Sequence, residues 1–442
     1  MVAGIQQFCI HKFFLALPEQ PQCNANLPYM TRCFHYFLIC AAGFLLATVC
    51  EAQTRRVLPD RARPAWEHLL PQGRMPGTAR LDLTLSLALR NQAALTNLLQ
   101  QIYDPASPNF HRYLSPAKFT ELFGPTEDDY EKVIRFAGAN GMKVTGRHAN
   151  RMLITVNAAV GDVEKTFAVR LNRYQHPTES RTFFAPDAAP TVTGDVPVLE
   201  VSGLDNYALP KPSSLQTQTH TANARPQPLV GSAPGGDYMG DDYRKVYVPG
   251  VTLTGAGQSI GLLQFNGYYT NDVAAYEAKT GRTNLVIQVL CDTFNGVPSG
   301  ANVETSLDID MAMSMAPGAN ILVYEGNSAT AILNRIATDN ICKQSSSSWT
   351  FGLSTTIRQI FQEYALQGQS FSQASGDHCA TVGAAYAPED NPYLTVVGGT
   401  ELSTATAGGP WQSEAVWNWN NTGSGTSGSS GGSSTFYAIP VW

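Results

Sequence analysis

Two carboxylates four residues apart, Glu304 and Asp308, stand in the stretch "ETSLDIDMAMSMAP", which is otherwise small and apolar. On a helix of ~3.6 residues per turn this spacing puts both on one face, one turn apart. Asp310 points elsewhere, roughly opposite Glu304. Like charges at this spacing repel, so such a pair is disfavoured unless something gains from it. Two readings stay open at this point. One is a solvated acidic stripe; the other is two carboxyls sharing a proton in a cleft. A third acid, Asp377 in "SQASGD", follows directly on a strand-like run, where α/β sheets place catalytic groups.

The chemistry open to these acids is narrowed by what the chain lacks. Of its eight histidines, only His378 lies beyond a Pro- and Gly-rich stretch at 209–237, and no G-x-S-x-G elbow accompanies it. A Ser-His-Asp site is therefore disfavoured, and a zinc hydrolase is equally short of ligands. Without histidine, a carboxylate must take a serine proton. That works at acidic pH, where a glutamate of raised pKa acts as base and a second carboxylate orients it. A third, protonated acid can donate to an oxyanion. A glycosidase using Glu304 and Asp308 is the weaker enzymatic alternative. Two acids one turn apart on one helix do not flank a glycosidic bond from both sides.

The elements that must position these groups fall into two patterns. In the first half, "RLDLTLSLAL" alternates with period two and predicts a strand with one buried face. "AALTNLLQQIY" switches to helical spacing. "TEDDYEKVIRFAGANG" predicts a helix capped by Thr126, with Tyr130, Val133, Ile134 and Ala137 inward and Gly141 at its end. "RMLITVNA", "VGDVEKTF" and "AVRLNRY" follow as strand, helix and strand, so this half is α+β. Leu209–Asp237 has no apolar periodicity and predicts an exposed linker open to proteolysis. Beyond it, continuous apolar strands such as "SIGLLQF", "ANILVYEG" and "QSFSQASGD" alternate with amphipathic helices. That pattern predicts an α/β domain on a mostly parallel sheet.

Length and charge set outer bounds. The 442 residues suffice for two or three domains, and a net charge of −6 without basic runs argues against nucleic acid as a partner. Near the N-terminus an apolar run follows Arg32, and Met30 is the expected start. Its length suits a signal peptide cleaved after Ala52, which predicts a secreted protein, extracellular or periplasmic, with no stable membrane span once mature. Five of eight cysteines precede residue 51; Cys291, Cys342 and Cys379 remain, allowing at most one internal disulfide.

From about Val57 to Trp442 the chain resembles the sedolisins, the serine-carboxyl peptidases, and especially kumamolisin-type precursors. The stretches that carry this are "DPASPNFHRYLSPAKFTELFGPT", "ETSLDIDMAMSMAP", "ASGDHCA", "NPYLTVVGGT", "EAVWNW" and "GSSGGSSTFYAIPVW". The resemblance implies a subtilisin-like α/β catalytic domain at 237–442, preceded by an α+β ferredoxin-like activation prodomain at 53–210. The segment 211–236 becomes the linker where maturation cuts, and 1–52 the leader. It implies an acid-acting serine-type endopeptidase precursor, with Glu304 as general base, Asp308 its partner and Asp377 the oxyanion-stabilising acid. Trp349 matches a tryptophan of the family's extended hydrogen-bond network. Gln264 stands where some members carry an acid, and His378 and Cys379 replace a small residue and glycine. Peptides or proteins are the implied substrates, and the prodomain is the implied intramolecular inhibitor and chaperone.

One departure concerns the nucleophile. The family's S-G-T-S motif follows the stretch with which this chain ends. "GSGTS" at 423–427 spells it too early, in a loop-like segment, so Ser427 is expected to be a decoy and no nucleophile is assigned. Calcium is implied by the family, with ligands expected beyond Trp442. The non-enzymatic alternative is a secreted, catalytically dead remnant of a truncated precursor.

Overall fold

The computed structural model describes residues 54–59, 65–213, 230–233, 236–380, 390–418, 427–434 and 436–438. The expected leader, most of the expected linker (214–229) and residues 439–442 lie outside the described residues.

In the first half, β1 (Arg80–Ser86), β2 (Lys143–Arg147), β3 (Leu153–Ala159) and β4 (Glu200–Ser202) form an antiparallel sheet in the order β2-β3-β1-β4. Helices α1 (Gln92–Tyr103), α2 (Glu127–Ala139) and α3 (Val160–Phe167) connect or flank its strands. The cap on α2 is the expected one: Thr126 Oγ1 accepts from Asp129 N at 3.1 Å, and three acids fill the first turn. Gly141 leaves the helix with φ +74°, a conformation that favours glycine. β1 departs from its expected single buried face. Leu81, Leu83 and Leu85 are buried, but so are Thr84 and Ser86. The reason is the second half: Thr356 Oγ1 donates to Ser86 Oγ at 2.7 Å, and Ser86 Oγ donates to Glu200 O at 3.1 Å.

The second half is built on a six-stranded, wholly parallel sheet. Its strands are β6 (Ser259–Gln264), β7 (Val286–Leu290), β8 (Asn320–Glu325), β9 (Gln344–Ser347), β11 (Ser370–Ala374) and β13 (Thr395–Val397), ordered β7-β8-β6-β9-β11-β13. The chain fills one side of β6 first and then the other. That reversal opens a crevice at the carboxyl ends of β6 and β9. Helix α5 (Asn302–Met315) covers one face, Ile309 and Met313 packing with Leu262, Ile321 and Val323. Helices α6 (Ala329–Asp339) and α7 (Thr355–Gln367) cover the other, against Leu263, Leu322, Tyr324 and Phe371.

That second cluster does not stop at the helices. Leu89, Leu95, Leu99, Ile102, Phe119 and Met152 of the first half belong to the same core, and residues from Thr54 onward form one compact unit. Polar groups cross the same seam. Asn150 Nδ2 donates to Asn334 Oδ1 at 2.7 Å and to Glu363 Oε2 at 2.9 Å, and Thr356 N donates to Glu200 Oε2 at 3.1 Å.

Two expected loops are strands. Within the expected linker, β5 (Lys211–Pro212) pairs antiparallel with β10 (Trp349–Thr350), so the linker's first residues are held by strand pairing while Lys211 stays exposed. In the glycine-serine run, β14 (Gly428–Gly431) pairs parallel with β12 (His378–Ala380). Both corrections have the same origin. Each forms a two-stranded pair with a segment distant in sequence, which supplies hydrogen bonds that the local sequence does not announce.

Candidate active site

The acids lie along the carboxyl edge of the parallel sheet. Helix α5 presents Glu304 in its first turn, only 2% exposed, and Asp308 one turn later. Thr305, between them in the helix, is fully buried, and its Oγ1 donates to Asn266 O at 3.2 Å. That bond ties the first turn of α5 to the loop after β6. The solvated stripe is thus excluded for Glu304. Asp310 turns away, as its position on the helix requires. Burial, with Asp272 and Glu277 nearby, pushes its carboxyl up to about 7.

Asp308 is held at both oxygens. Gln264 Nε2, from the end of β6, donates to Oδ2 at 2.6 Å, and Ser348 Oγ donates to Oδ1 at 2.7 Å. Gln264 in turn accepts from Trp349 Nε1 at 2.6 Å. The Trp349 ring is fixed edge-on against Phe265. Burial pushes the Asp308 carboxyl up to about 6, against the two hydrogen bonds that lower it. A row Trp349–Gln264–Asp308–Ser348 therefore links one helix to two neighbouring strand ends.

Asp377 follows β11, two strands along from β6. The turn before it needs Gly376 at φ +85°. The carboxyl is 8% exposed, and burial pushes it up to about 6, with His378 acting in the opposite sense. The His378 ring is exposed, while its backbone N–H donates to Ser430 Oγ at 2.8 Å. Ser427 is buried, 4% exposed, and Gly428 N donates to Asp377 O at 3.1 Å. The flexible-loop expectation for Ser427 is corrected accordingly: its segment is stitched to the S-G-D turn.

Three features were not singled out by sequence reasoning. Ser348 is one. It follows Ser347 at the end of β9, where the chain leaves the sheet and its hydroxyl reaches Asp308. A polar residue at a strand end opposite an acidic helix was the available signal. The chain's own peptide is the second: Ser213 N donates to Ser348 O at 2.6 Å, just past the β5–β10 pair. Glu325, fully buried at the end of β8, is the third. Among the described residues no group of three or more His, Cys, Asp or Glu is placed to hold a metal ion. Cys291 and Cys342 are in no disulfide.

The model of the pro-kumamolisin activation domain matches residues 67–207. The chain is 28% identical over 431 residues to xanthomonalisin of Xanthomonas sp. (strain T-22), covering 82% of this chain and 51% of that protein. It is 27% identical over 420 residues to kumamolisin of Bacillus sp. (strain MN-32), covering 89% and 74%. With sedolisin of Pseudomonas sp. (strain 101) it shares 27% over 396 residues, covering 81% and 66%. The chain thus spans about half the length of xanthomonalisin and two to three quarters of the other two.

Proposed function

The chain belongs to the sedolisin family, and from that premise we propose that it is the secreted precursor of an acid-acting serine-type endopeptidase whose site is Glu304, Asp308 and Asp377. The observation that carries this reading is the peptide already lying there. Lys211–Ser213 runs antiparallel along Ser348–Thr350, and Ser348 is the residue whose hydroxyl holds Asp308. An extended peptide added to a strand edge is how a protease presents a scissile segment. Here the occupant is the start of the linker that leaves the prodomain, which has ferredoxin-like topology and acts as an intramolecular inhibitor.

In this reading Glu304 takes the proton of the attacking serine hydroxyl as its oxygen bonds to the peptide carbonyl carbon. Asp308, fixed by Gln264 and Ser348, orients Glu304 and shares that proton. Asp377, neutral below about pH 6, donates a hydrogen bond to the carbonyl oxygen as it becomes negative. Glu304 then returns the proton to the leaving amine. Ionisation of Asp377 removes the donor, so activity falls as pH rises through that value. No described serine is assigned the nucleophile's role. The family suggests calcium, but the described residues offer no ligand cluster, so no step is routed through a metal.

The test compares the 442-residue chain with a version extended by the carboxyl-terminal segment of kumamolisin, both against a peptide library at about pH 3 to 5. The extended chain should turn over peptides, with kcat reduced at least ~100-fold by Glu304→Ala and by Asp377→Ala. Turnover indifferent to Glu304→Ala would sink the carboxylate mechanism. Turnover by the unextended chain that Ser427→Ala abolishes would make Ser427 the nucleophile.

A further inference from the structure

We propose that Glu325 is a positioning residue of this acid site, acting through Gln264 on the Asp308 carboxylate. β6 and β8 run parallel with Gln264 and Glu325 as direct partners. In-register neighbours on parallel strands point to the same face, about 4.8 Å apart. That face carries α5, because Leu262 and Val323, two residues back on the same strands, pack with Ile309 and Met313. Both Gln264 and Glu325 are fully buried.

Their hydrogen bonds are unequally met. Glu325 Oε2 accepts from Gln288 Nε2 at 2.9 Å, whereas Oε1 is buried with no partner. Gln264 Nε2 carries two hydrogens, and one serves Asp308. A buried carboxylate oxygen without a donor is costly, and one strand spacing away stands the amide that holds Asp308. Protonated Glu325 makes no demand on that amide. Ionised Glu325 draws the amide's second hydrogen toward itself, pulling the group off its line to Asp308.

The titratable groups around Glu325 are Tyr268, Cys291 and Asp292 on the neighbouring loops and strand end, with Asp308 of α5 on the far side of the Gln264 amide. None of these is a cation; Arg335 reaches this corner only through Cys291. Burial pushes Glu325 up to about 7, against the Gln288 hydrogen bond. The Asp308 geometry is therefore intact in acid and loosened above neutrality.

The inference rests on Asp308 being part of the site, but its test needs no peptide hydrolysis. The chain has six tryptophans, so the indole N–H region of the ¹⁵N-labelled full chain is sparse, and Trp349→Phe assigns the relevant signal. Trp349 donates to Gln264 and reports on it. Titrated from about pH 4 to 9, its resonance should move in two steps. Asp308→Asn should remove the lower step and Glu325→Gln the upper. Gln288→Ala, which keeps Glu325 but removes its donor, should raise the upper midpoint by about half a unit or more. It decides the matter if Glu325→Gln does not fold. An upper step unchanged in either variant would overturn the proposal, leaving Glu325 a buried structural acid. A silent peptidase assay of the extended chain beside two clean steps would instead count against the peptidase reading alone.

Discussion

Asp308 and Glu363 are both carboxyls held by neutral donors inside the same half of the molecule, yet they occupy opposite faces of the parallel sheet. Asp308, on α5, accepts from one amide and one hydroxyl and is pushed up to about 6. Glu363, on α7, accepts from Asn150 Nδ2 at 2.9 Å and Gln367 Nε2 at 3.0 Å, and burial pushes it up to about 8. Neither has an arginine or lysine to fix its charge. The difference lies in what surrounds them. The Asp308 corner is assembled from strand ends and opens on the crevice, so its protonation can change during work. Glu363 is sealed beneath Asn150 of the first half, so it stays neutral and serves as a donor and acceptor of fixed shape. Burial without a cation thus yields a titrating group at a crevice and a structural one at a seam.

The largest effect expected from breaking this comparison is at the seam. Asn150→Ala removes the donor to both Asn334 and Glu363 and leaves two buried groups short of a partner. We expect a loss of about 2–4 kcal/mol in urea unfolding. A loss near zero would mean that water reaches the seam. Next comes pH. Glu363 has its folded value raised from 4.5 to about 8, so its contribution is full below 4.5 and is lost as pH rises through 8. His148, also at the seam, accepts at Nδ1 from Asn334 Nδ2 at 3.1 Å, and its Nε2 is buried without a partner. Burial, helped by Arg335, lowers it from 6.5 to about 4, so its contribution is full above 6.5 and is lost as pH falls through 4. Each swing is a few kcal/mol, the larger at Glu363, whose value is moved further. Melting curves of Glu363→Gln and His148→Gln should part from the parent at opposite ends of the pH range, the first losing less than the parent at alkaline pH and the second less at acid pH. Parallel curves would remove the seam's pH window. The smallest effect is at the crevice. Ser348→Ala removes a hydrogen bond that lowers Asp308, so the Asp308 midpoint should rise above 6. We expect a rise worth ~1 kcal/mol, read from the Trp349 indole titration.

Much of this was legible where the signal is local. The boundaries of α3, Val160–Phe167, coincide with the segment "VGDVEKTF", and the Thr126 cap and Gly281 terminus of the helix Thr270–Thr280 follow from residue type. The shared face of Glu304 and Asp308 needed only the helical period. What stayed hidden depends on distant chain. Nothing near Ser86 foretells that Thr356 will cover it, 270 residues on. Lys211–Pro212 carries no strand signal, and a proline suits only an edge. The seam amides Asn150 and Asn334 look like ordinary loop and helix residues until the fold brings them together.

The short pairing of Lys211–Pro212 with Trp349–Thr350 has a consequence for how the crevice could be vacated. Lys211 is tied to the first half through Glu179, at 2.6 Å, and Glu179 is tied to Arg181 at 2.5 Å. A peptide tethered this way is present at an effective concentration on the order of millimolar, whatever the dilution. Cutting the backbone between 213 and 230 does not by itself lower that figure, because the occupant remains attached to the first half, and the first half remains docked through a shared core. Only when that core parts does occupancy become an ordinary bimolecular equilibrium. Emptying the crevice should then follow the kinetics of separation rather than of scission, with a lag that shortens on dilution once the halves have come apart.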